Sequence, residues 1–134
     1  MDNFKKSMIV IGCIGVLSGG VYFYSYISAL NNYQSIVAGL KIDEVDLSKV
    51  KDGTFQGSCD AIFVAADVSV TVKDHKIIDI RLIRHKTERG QRAEVIPEEV
   101  VNAQSLQVDT ISGATNSSKV IIKAIETALE SGEQ

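Results

Sequence analysis

The side chains best suited to chemistry lie near the C-terminus, in residues 109–120, which read DTISGATNSSKV. The stretch is rich in small and hydroxyl residues: Thr110, Ser112, Gly113, Ala114, Thr115, Ser117 and Ser118. Ser117 or Asn116 can cap a following helix, but a cap and a turn do not explain why their neighbours are all so small. A stretch with so little bulk can enter another protein's active site, where its useful nucleophiles are hydroxyls. Because no histidine is near in sequence, the activating base would come from a partner.

Other common catalytic machineries lack the residues that they need. The chain has two histidines, His75 and His85, and two cysteines, Cys13 and Cys59, without HExxH or CxxC spacing, so no metal site is expected. P-loop, GxGxxG and GxSxG patterns are also missing, which argues against nucleotide phosphate binding and a serine hydrolase elbow. Cys59 is interpreted as a small buried side chain, with a free reactive thiol as the alternative.

The N-terminal part predicts a membrane anchor. Residues 7–40 carry no charge, and the 23 apolar residues 8–30 would span roughly 34 Å as a helix, against a hydrocarbon core of about 30 Å. Lys5 and Lys6 precede them, so the positive-inside rule predicts a single-pass protein of the cell membrane with a cytoplasmic N-terminus and an extracytoplasmic remainder. A cleaved signal peptide and a lipobox ending at Cys13 are the alternatives.

Gly12, Gly15 and Gly19 share one face of this predicted helix, and small residues at such spacing let a second helix approach closely. Glycine is also common in membrane helices, so dimerisation through this face stays open. Outside the anchor the chain has 16 acidic and 12 basic side chains, which gives nucleic acid no basic surface to bind.

Period-two alternation predicts an antiparallel hairpin over residues 62–84, with its turn at Asp74 and His75. One face of the first strand is apolar and contains Val64, Ala66, Val68, Val70 and Val72. The second strand repeats the alternation with Ile78, Ile80 and Leu82. One face of this hairpin would therefore pack against the rest of a domain and the other would be polar.

Two helical segments follow the hairpin. Residues 93–103 show helical spacing, and Pro97 followed by Glu98 and Glu99 indicates a fresh helical start. A final helix over residues 117–130 has the apolar stripe Val120, Ile121, Ala124, Ile125, Ala128 and Leu129, with Lys119, Lys123, Glu126 and Glu130 off it and Gly132 beyond its end. The expected fold is α+β, a small antiparallel sheet packed with two helices and preceded by one N-terminal transmembrane helix.

Residues 109–115, DTISGAT, resemble the D-x-x-S/T-G-A-S/T flavinylation motif of the FMN-binding domain family. That family includes the covalent-flavin subunits of the sodium-pumping NADH:quinone reductase and of the related ferredoxin-linked complex. The resemblance covers residues 51–129, through KDGTFQG at 51–57, VSVTVKD at 68–74, His85 and the final helix. One departure is the E-T-P-G-L-like loop that often follows the histidine, which reads TERGQ at 87–91 here and keeps only Gly90.

This resemblance implies an electron carrier, not an enzyme, with FMN joined to Thr115 through a phosphoester. A flavin transferase using FAD and magnesium would attach it and release AMP, recognising Asp109, Ser112, Gly113 and Ala114. Ser117, His85 and Gly90 complete the candidate cofactor-binding residues. The remaining phosphodiester charge would lie at the N-terminus of the final helix, where free amides and the helix dipole favour an anion.

The predicted organisation is a transmembrane anchor in residues 1–30, a juxtamembrane stalk in residues 31–50 and an FMN-binding domain in residues 51–134. The implied partners are the flavin transferase, a membrane electron donor, an extracytoplasmic acceptor and the lipid bilayer. Two other functions stay open. One is a noncovalent FMN-binding module or sensor, and the other is an anchored interaction domain without a cofactor.

Overall fold

The computed structural model describes residues 2–134 and separates into two compact units, one ending at Ser35 and one beginning at Ile36. The first element, α1 (Asn3–Gly39), is long and apolar enough to cross a membrane, and its large apolar side chains from Phe4 to Ile27 are exposed. This confirms the predicted apolar N-terminal helix by length and composition, although the helix runs nine residues beyond the predicted end at residue 30.

The second unit contains a three-stranded antiparallel sheet with strand order β1-β2-β3. Its strands are β1 (Gly53–Asp60), β2 (Ala65–Lys73) and β3 (Lys76–Lys86), and β2 lies between the other two. Val68, Val70 and Val72 on β2 are fully buried, while Asp67, Ser69 and Thr71 alternate with them on the other face. The predicted strand with one apolar and one polar face is confirmed.

The predicted turn at Asp74 and His75 is also confirmed. Both residues have positive φ, 52° and 60°, as in the two-residue turns whose twist matches that of a β-hairpin. The turn joins β2 to β3 with Lys73 and Lys76 paired across the ladder.

The predicted inward face of β3 is partly wrong, because two bulges shift the strand's register. One lies at Ile78, between the pairs Thr71–Asp79 and Val72–Ile77, so Ile77 is buried and Ile78 is 54% exposed. A bulge inserts one extra residue, which moves the following side chains to the opposite face. The second bulge lies at Ile83 and turns the side chain of His85 inward.

The helices follow the predicted order. A 3₁₀ helix (Gln91–Val95) leads into α2 (Ile96–Ala103), with Pro97 in the first turn, and α2 packs against β3. The last helix, α3 (Thr115–Ser131), buries its whole predicted apolar stripe against β1 and β2 and has Gly132 as its C-cap. Gly57 of β1 permits the close contact, since a Cβ there would lie 2.0 Å from the carbonyl oxygen of Ala124. The α+β fold with a sheet and two packed helices is confirmed.

Two predictions about α3 are wrong. The helix starts at Thr115 with Ala114 as its N-cap and no capping side chain, so neither Ser117 nor Asn116 is the cap. Ser117 instead lies within the first turn and is 2% exposed. Glu126 was expected on the solvent side but is fully buried. Its carboxylate is paired there, since Oε1 accepts a hydrogen bond from the Asp43 N–H (3.2 Å) and Oε2 accepts one from Lys123 Nζ (2.9 Å).

Residues 41–51 cover this side of α3. Lys123 Nζ also donates to the carbonyl of Lys41 (3.0 Å), and Val50 forms a β-bridge with Glu133 beyond the end of the helix. The segment before β1 therefore packs on the domain's last helix. The domain boundaries at residues 30/31 and 50/51 stay predictions.

Candidate functional site

A tight turn precedes α3 and fixes the backbone of the motif. The Ala114 N–H donates to the carbonyl of Ile111 (2.9 Å), and Gly113 has φ +80°, the value that a type II turn requires at its third residue. Ser118 holds the turn from the helix side, since its Oγ accepts the Ile111 N–H (3.0 Å) and donates to Ala114 O (2.8 Å). These hydrogen bonds therefore fix the backbone directly before Thr115.

Thr115 is the first residue of α3, and its side chain is exposed. Its hydroxyl takes no part in the hydrogen bonds that hold the turn before α3. The helix start has no side-chain cap, so Thr115 lies where backbone amides and the positive end of the helix dipole favour an anion. Asp109, Ser112 and Gly113 are exposed on its N-terminal side, while Ala114 is 5% exposed.

The loop after β3 packs directly on this first turn. Thr87 Oγ1 and Ser117 Oγ lie 3.1 Å apart, and Thr87 Oγ1 also accepts the Gly90 N–H at 2.8 Å. A Cβ on Gly90 would lie 1.9 Å from Ser117 Oγ, so the loop and the helix can approach this closely only because residue 90 is glycine. The structure thus brings the candidates Gly90 and Ser117 together and gives Ser117 a packing role in place of the cap.

His85 is buried two residues before Thr87. Its side chain is 3% exposed, and its Nδ1 lies 3.0 Å from Oε1 of Glu94 in the 3₁₀ helix. Among residues 2–134, His85 Nε2 is the buried side-chain polar atom that lacks a hydrogen-bond partner. Buried polar atoms are almost always paired, so this nitrogen marks a place where water or a ligand would complete a contact.

Thr115 and His85 lie at the same end of the sheet. Gly132, beyond the end of α3, lies against Phe55 near the start of β1, and the middle of α3 lies against Gly57. The start of α3 is therefore near the end of β1, where β2 begins and β3 ends, since the strands are antiparallel.

The loop between β1 and β2 lies at this end too. Ile62 has φ 70°, an uncommon backbone conformation for a β-branched residue. Its N–H donates to Asp60 Oδ1 (2.8 Å), and its carbonyl accepts Lys86 Nζ (2.6 Å) at the end of β3. These two bonds fix the loop conformation.

The candidates thus separate into two groups. One group lies where the start of α3 and the turn before it meet the end of β3 and the loop after it: Gly113, Ala114, Thr115, Ser117, His85 and Gly90. In the other group, Asp109 lies before the turn and Ser112 is its second residue, and both are exposed.

Sequence reasoning missed three residues of this site: Thr87, Ser118 and Glu94. Ser118 could have been found from its position four residues after Ala114, which suits a hydroxyl bond to that carbonyl. Nothing in the sequence pairs Glu94 with His85, because their contact depends on the bulge at Ile83.

Cys59 is half-buried, and the structure leaves both Cys13 and Cys59 unpaired. Burial raises the pKa of the Cys59 thiol, an effect that the nearby Lys123 ammonium partly offsets. A raised pKa lowers the thiolate fraction, which is against the reactive-thiol interpretation.

Comparison with known families identifies the domain. Residues 65–130 match the family model of the FMN-binding domain, a segment that runs from the start of β2 into the last turn of α3 and contains His85, Gly90 and the DTISGAT motif. The domain in residues 65–130 belongs to the FMN-binding domain family. The cofactor that this domain indicates is FMN.

Two curated proteins are similar to part of this chain. The chain is 35% identical over 66 residues to an NADH:acrylate oxidoreductase of Vibrio harveyi. The aligned segment covers 47% of this chain and 7% of that protein. It is 28% identical over 86 residues to an uncharacterized protein of Treponema pallidum, which covers 62% of this chain and 24% of the relative. The chain therefore spans only a small part of the length of either relative.

A crystal structure of a Clostridium perfringens protein shares the fold. The TM-score is 0.50 at 20% sequence identity, and the match covers 62% of this chain and 88% of that one. At this level of identity the likeness concerns the fold alone.

The residues present fit FMN on two grounds. The exposed Thr115 at the uncapped start of α3 suits a phosphate group, for which helix N-termini are common sites. The unpaired Nε2 of His85 offers a buried polar contact at the same end of the sheet.

Proposed function

We propose that the chain is a membrane-anchored, extracytoplasmic electron-transfer flavoprotein that carries FMN covalently on Thr115. The observation that supports this most is the position of Thr115 within the FMN-binding domain. It is an exposed hydroxyl at an uncapped helix start, directly after a fixed turn.

In the proposed attachment, Thr115 Oγ1 attacks the FMN-side phosphorus of FAD in the active site of a flavin transferase. The new P–O bond to threonine replaces the pyrophosphate P–O bond, AMP leaves, and the hydroxyl proton passes to a base of the transferase. Magnesium bound to the transferase would neutralise the phosphates. The exposed Asp109, Ser112 and Gly113 are placed for recognition by that enzyme, together with the backbone of Ala114.

Neighbouring hydroxyls are poorer acceptors. Ser117 is 2% exposed and contacts Thr87, whereas Ser118 is fully buried and bonded on both sides of the turn. Thr110 and Ser112 are exposed, but Thr110 precedes the turn and Ser112 lies within it, so neither belongs to the first turn of the helix. Thr115 alone in this stretch combines exposure with a helix N-terminus.

The rest of the site would hold the cofactor without covalent bonds. Ser117 and Gly90 are in close contact where α3 packs on the loop after β3, and this contact would form one side of the cofactor site. His85 would contribute its unpaired Nε2. FMN would supply reversible one- and two-electron transfer. One relative of this domain is named an NADH:acrylate oxidoreductase, a redox enzyme, which favours a role in electron transfer.

The anchor would keep this carrier at the membrane. Helix α1 has the length and composition of a span, and Lys5 and Lys6 before it favour a cytoplasmic N-terminus. The domain would then take electrons from a membrane donor and pass them to an extracytoplasmic acceptor. A covalent bond prevents loss of the flavin by dilution in that compartment.

Coexpression of the full chain with a flavin transferase tests the proposal. We expect a fluorescent flavin band on a denaturing gel for the wild type and for Thr115→Ser, but not for Thr115→Ala. Ser117→Ala should remain fluorescent. Flavin that is lost on denaturation would instead indicate a noncovalent module, and a colourless protein would refute both forms of the proposal.

A further inference from the structure

The contact between His85 and Glu94 lies outside the flavinylation motif. His85 is paired with Ala66 across the β2–β3 ladder, and the bulge at Ile83 turns its side chain inward. The neighbouring cations point to other partners, since Arg84 binds Asp67 (2.6 Å) and Lys86 binds the Ile62 carbonyl. The group that contacts the imidazole is thus the carboxylate of Glu94, which is itself 50% exposed.

This contact determines which ring nitrogen carries hydrogen. An ionised carboxylate can only accept a hydrogen bond, so the 3.0 Å contact requires the proton to be on Nδ1 of His85. In the neutral imidazole, Nε2 then presents a lone pair. Because Nε2 is buried without a partner among residues 2–134, a water molecule or a bound ligand is expected to complete it.

The segment that follows His85 packs on the helical turn that carries the proposed attachment site. Thr87 contacts Ser117 in the same helical turn as Thr115, at 3.1 Å between hydroxyl oxygens. His85 precedes Thr87 by two residues, about 7 Å along an extended chain. A group tethered to Thr115 therefore has only a short distance to cover to reach His85.

We infer that Glu94 is a positioning residue: it holds His85 in the Nδ1–H form so that Nε2 accepts a hydrogen bond from an N–H or O–H group of the bound flavin. This inference rests on the proposed function for its ligand, but not for the state of the imidazole. FMN offers both kinds of donor, on its ring and on its ribityl chain. If Nε2 of His85 carried the hydrogen instead, it would donate a hydrogen bond to a carbonyl oxygen of the flavin ring.

Histidine side-chain NMR tests this on the full chain in detergent, labelled with ¹⁵N-histidine, before and after flavin attachment. Two-bond ¹H–¹⁵N correlations report which ring nitrogen is protonated. His75 provides an internal reference, because it lies in the hairpin turn at the opposite end of β2 and β3. The His75→Gln variant assigns the two sets of signals.

Before flavin attachment we expect His85 to show a protonated Nδ1 and an unprotonated Nε2. Glu94→Gln should keep this pattern, because the amide oxygen can still accept from Nδ1, whereas Glu94→Ala should give a mixture of both tautomers. A merely structural Glu94 would leave the tautomer unchanged in the alanine variant. A protonated Nε2 in the flavin-free wild type would overturn the inference.

After flavin attachment we expect the His85 Nε2 resonance to shift while both nitrogens of His75 stay in place. The shift should persist in Glu94→Gln and be lost or reduced in Glu94→Ala. A flavin-loaded protein whose Nε2 resonance does not move refutes the inference and leaves the proposed function intact. A wild-type chain that takes up no flavin refutes the proposed function, and with it the ligand assigned to Nε2.

Discussion

The hydroxyl oxygens of Thr87 and Ser117 lie 3.1 Å apart, which joins the loop after β3 to the first turn of α3. Thr115, the candidate attachment residue, lies on the same helical turn as Ser117. The contact therefore links the turn that carries Thr115 to the loop that follows the strand of His85. Glycine at position 90 makes the approach possible. The site therefore depends on packing between two segments that are distant in sequence.

Gly90→Ala should disrupt this junction. The new Cβ would lie 1.9 Å from Ser117 Oγ and 2.6 Å from Thr87 Oγ1, so the loop must move away from α3. We expect a loss of about 1–3 kcal/mol in the free energy of unfolding, measured by urea denaturation. Gly39→Ala is the control, since nothing lies within 4 Å of its added Cβ, and equal effects of the two substitutions would contradict the account.

Ser118→Ala should loosen the turn before Thr115. The substitution removes the oxygen that accepts the Ile111 N–H and the hydroxyl that donates to Ala114 O. Leaving a buried polar group unpaired lowers the free energy of unfolding by about 1–3 kcal/mol. We expect faster hydrogen exchange at the Ile111 amide and a slower initial rate of flavin attachment. Ser131→Ala is the matched control, because Ser131 also donates to a carbonyl of α3, that of Ala128, but near its C-terminal end. An unchanged Ile111 amide would show that Ser118 does not hold the turn.

The ion pair between the partly exposed Lys123 and the buried Glu126 on α3 predicts a loss of stability in alkaline solution. The hydrogen bond to Glu126 raises the pKa of Lys123 above its ordinary value of 10.5. The folded state thus holds the proton more tightly than the unfolded state, so this stabilisation is complete at pH 7 and is lost as the pH rises through the folded-state pKa. Urea denaturation between pH 7 and pH 11 should show a falling free energy of unfolding above about pH 10.5.

Lys123→Met tests the same pair at neutral pH. The substitution leaves the carboxylate of Glu126 buried without its cation. We therefore expect the free energy of unfolding to fall by about 3 kcal/mol. Lys49→Met is the control, because its 3.8 Å pair with Asp46 is exposed and should contribute little. Equal stabilities for the two variants would contradict the role given to the buried pair.

Much of the fold could be predicted because the signals were local. The alternation of β2 and the apolar stripe of α3 reflect burial on one side, and both segments bury the expected side chains. Strand β1 gave no such signal, since its buried position is Gly57, where the backbone of α3 approaches. The bulges at Ile78 and Ile83 depend on pairing with β2, which the alternation within β3 does not reveal.

The site divides in the same way. The motif could be recognised from residues 109–115 because it is contiguous, and it lies within the matched FMN-binding domain. The contacts from Thr87 to Ser117 and from Glu94 to His85 join separate segments, so they follow only from the packed structure. Glu126 was misplaced for the same reason, since residues 41–43 cover it from 80 or more positions away.

Tandem mass spectrometry of the tryptic peptide of residues 93–119 tests the central claim most directly. This peptide from transferase-coexpressed protein contains every hydroxyl of the motif. We predict a mass increase equal to FMN less one water, with fragment ions that place it on Thr115. An unmodified peptide, or a modification on Ser112 or Ser117, would contradict the assignment of Thr115 as the covalent FMN site.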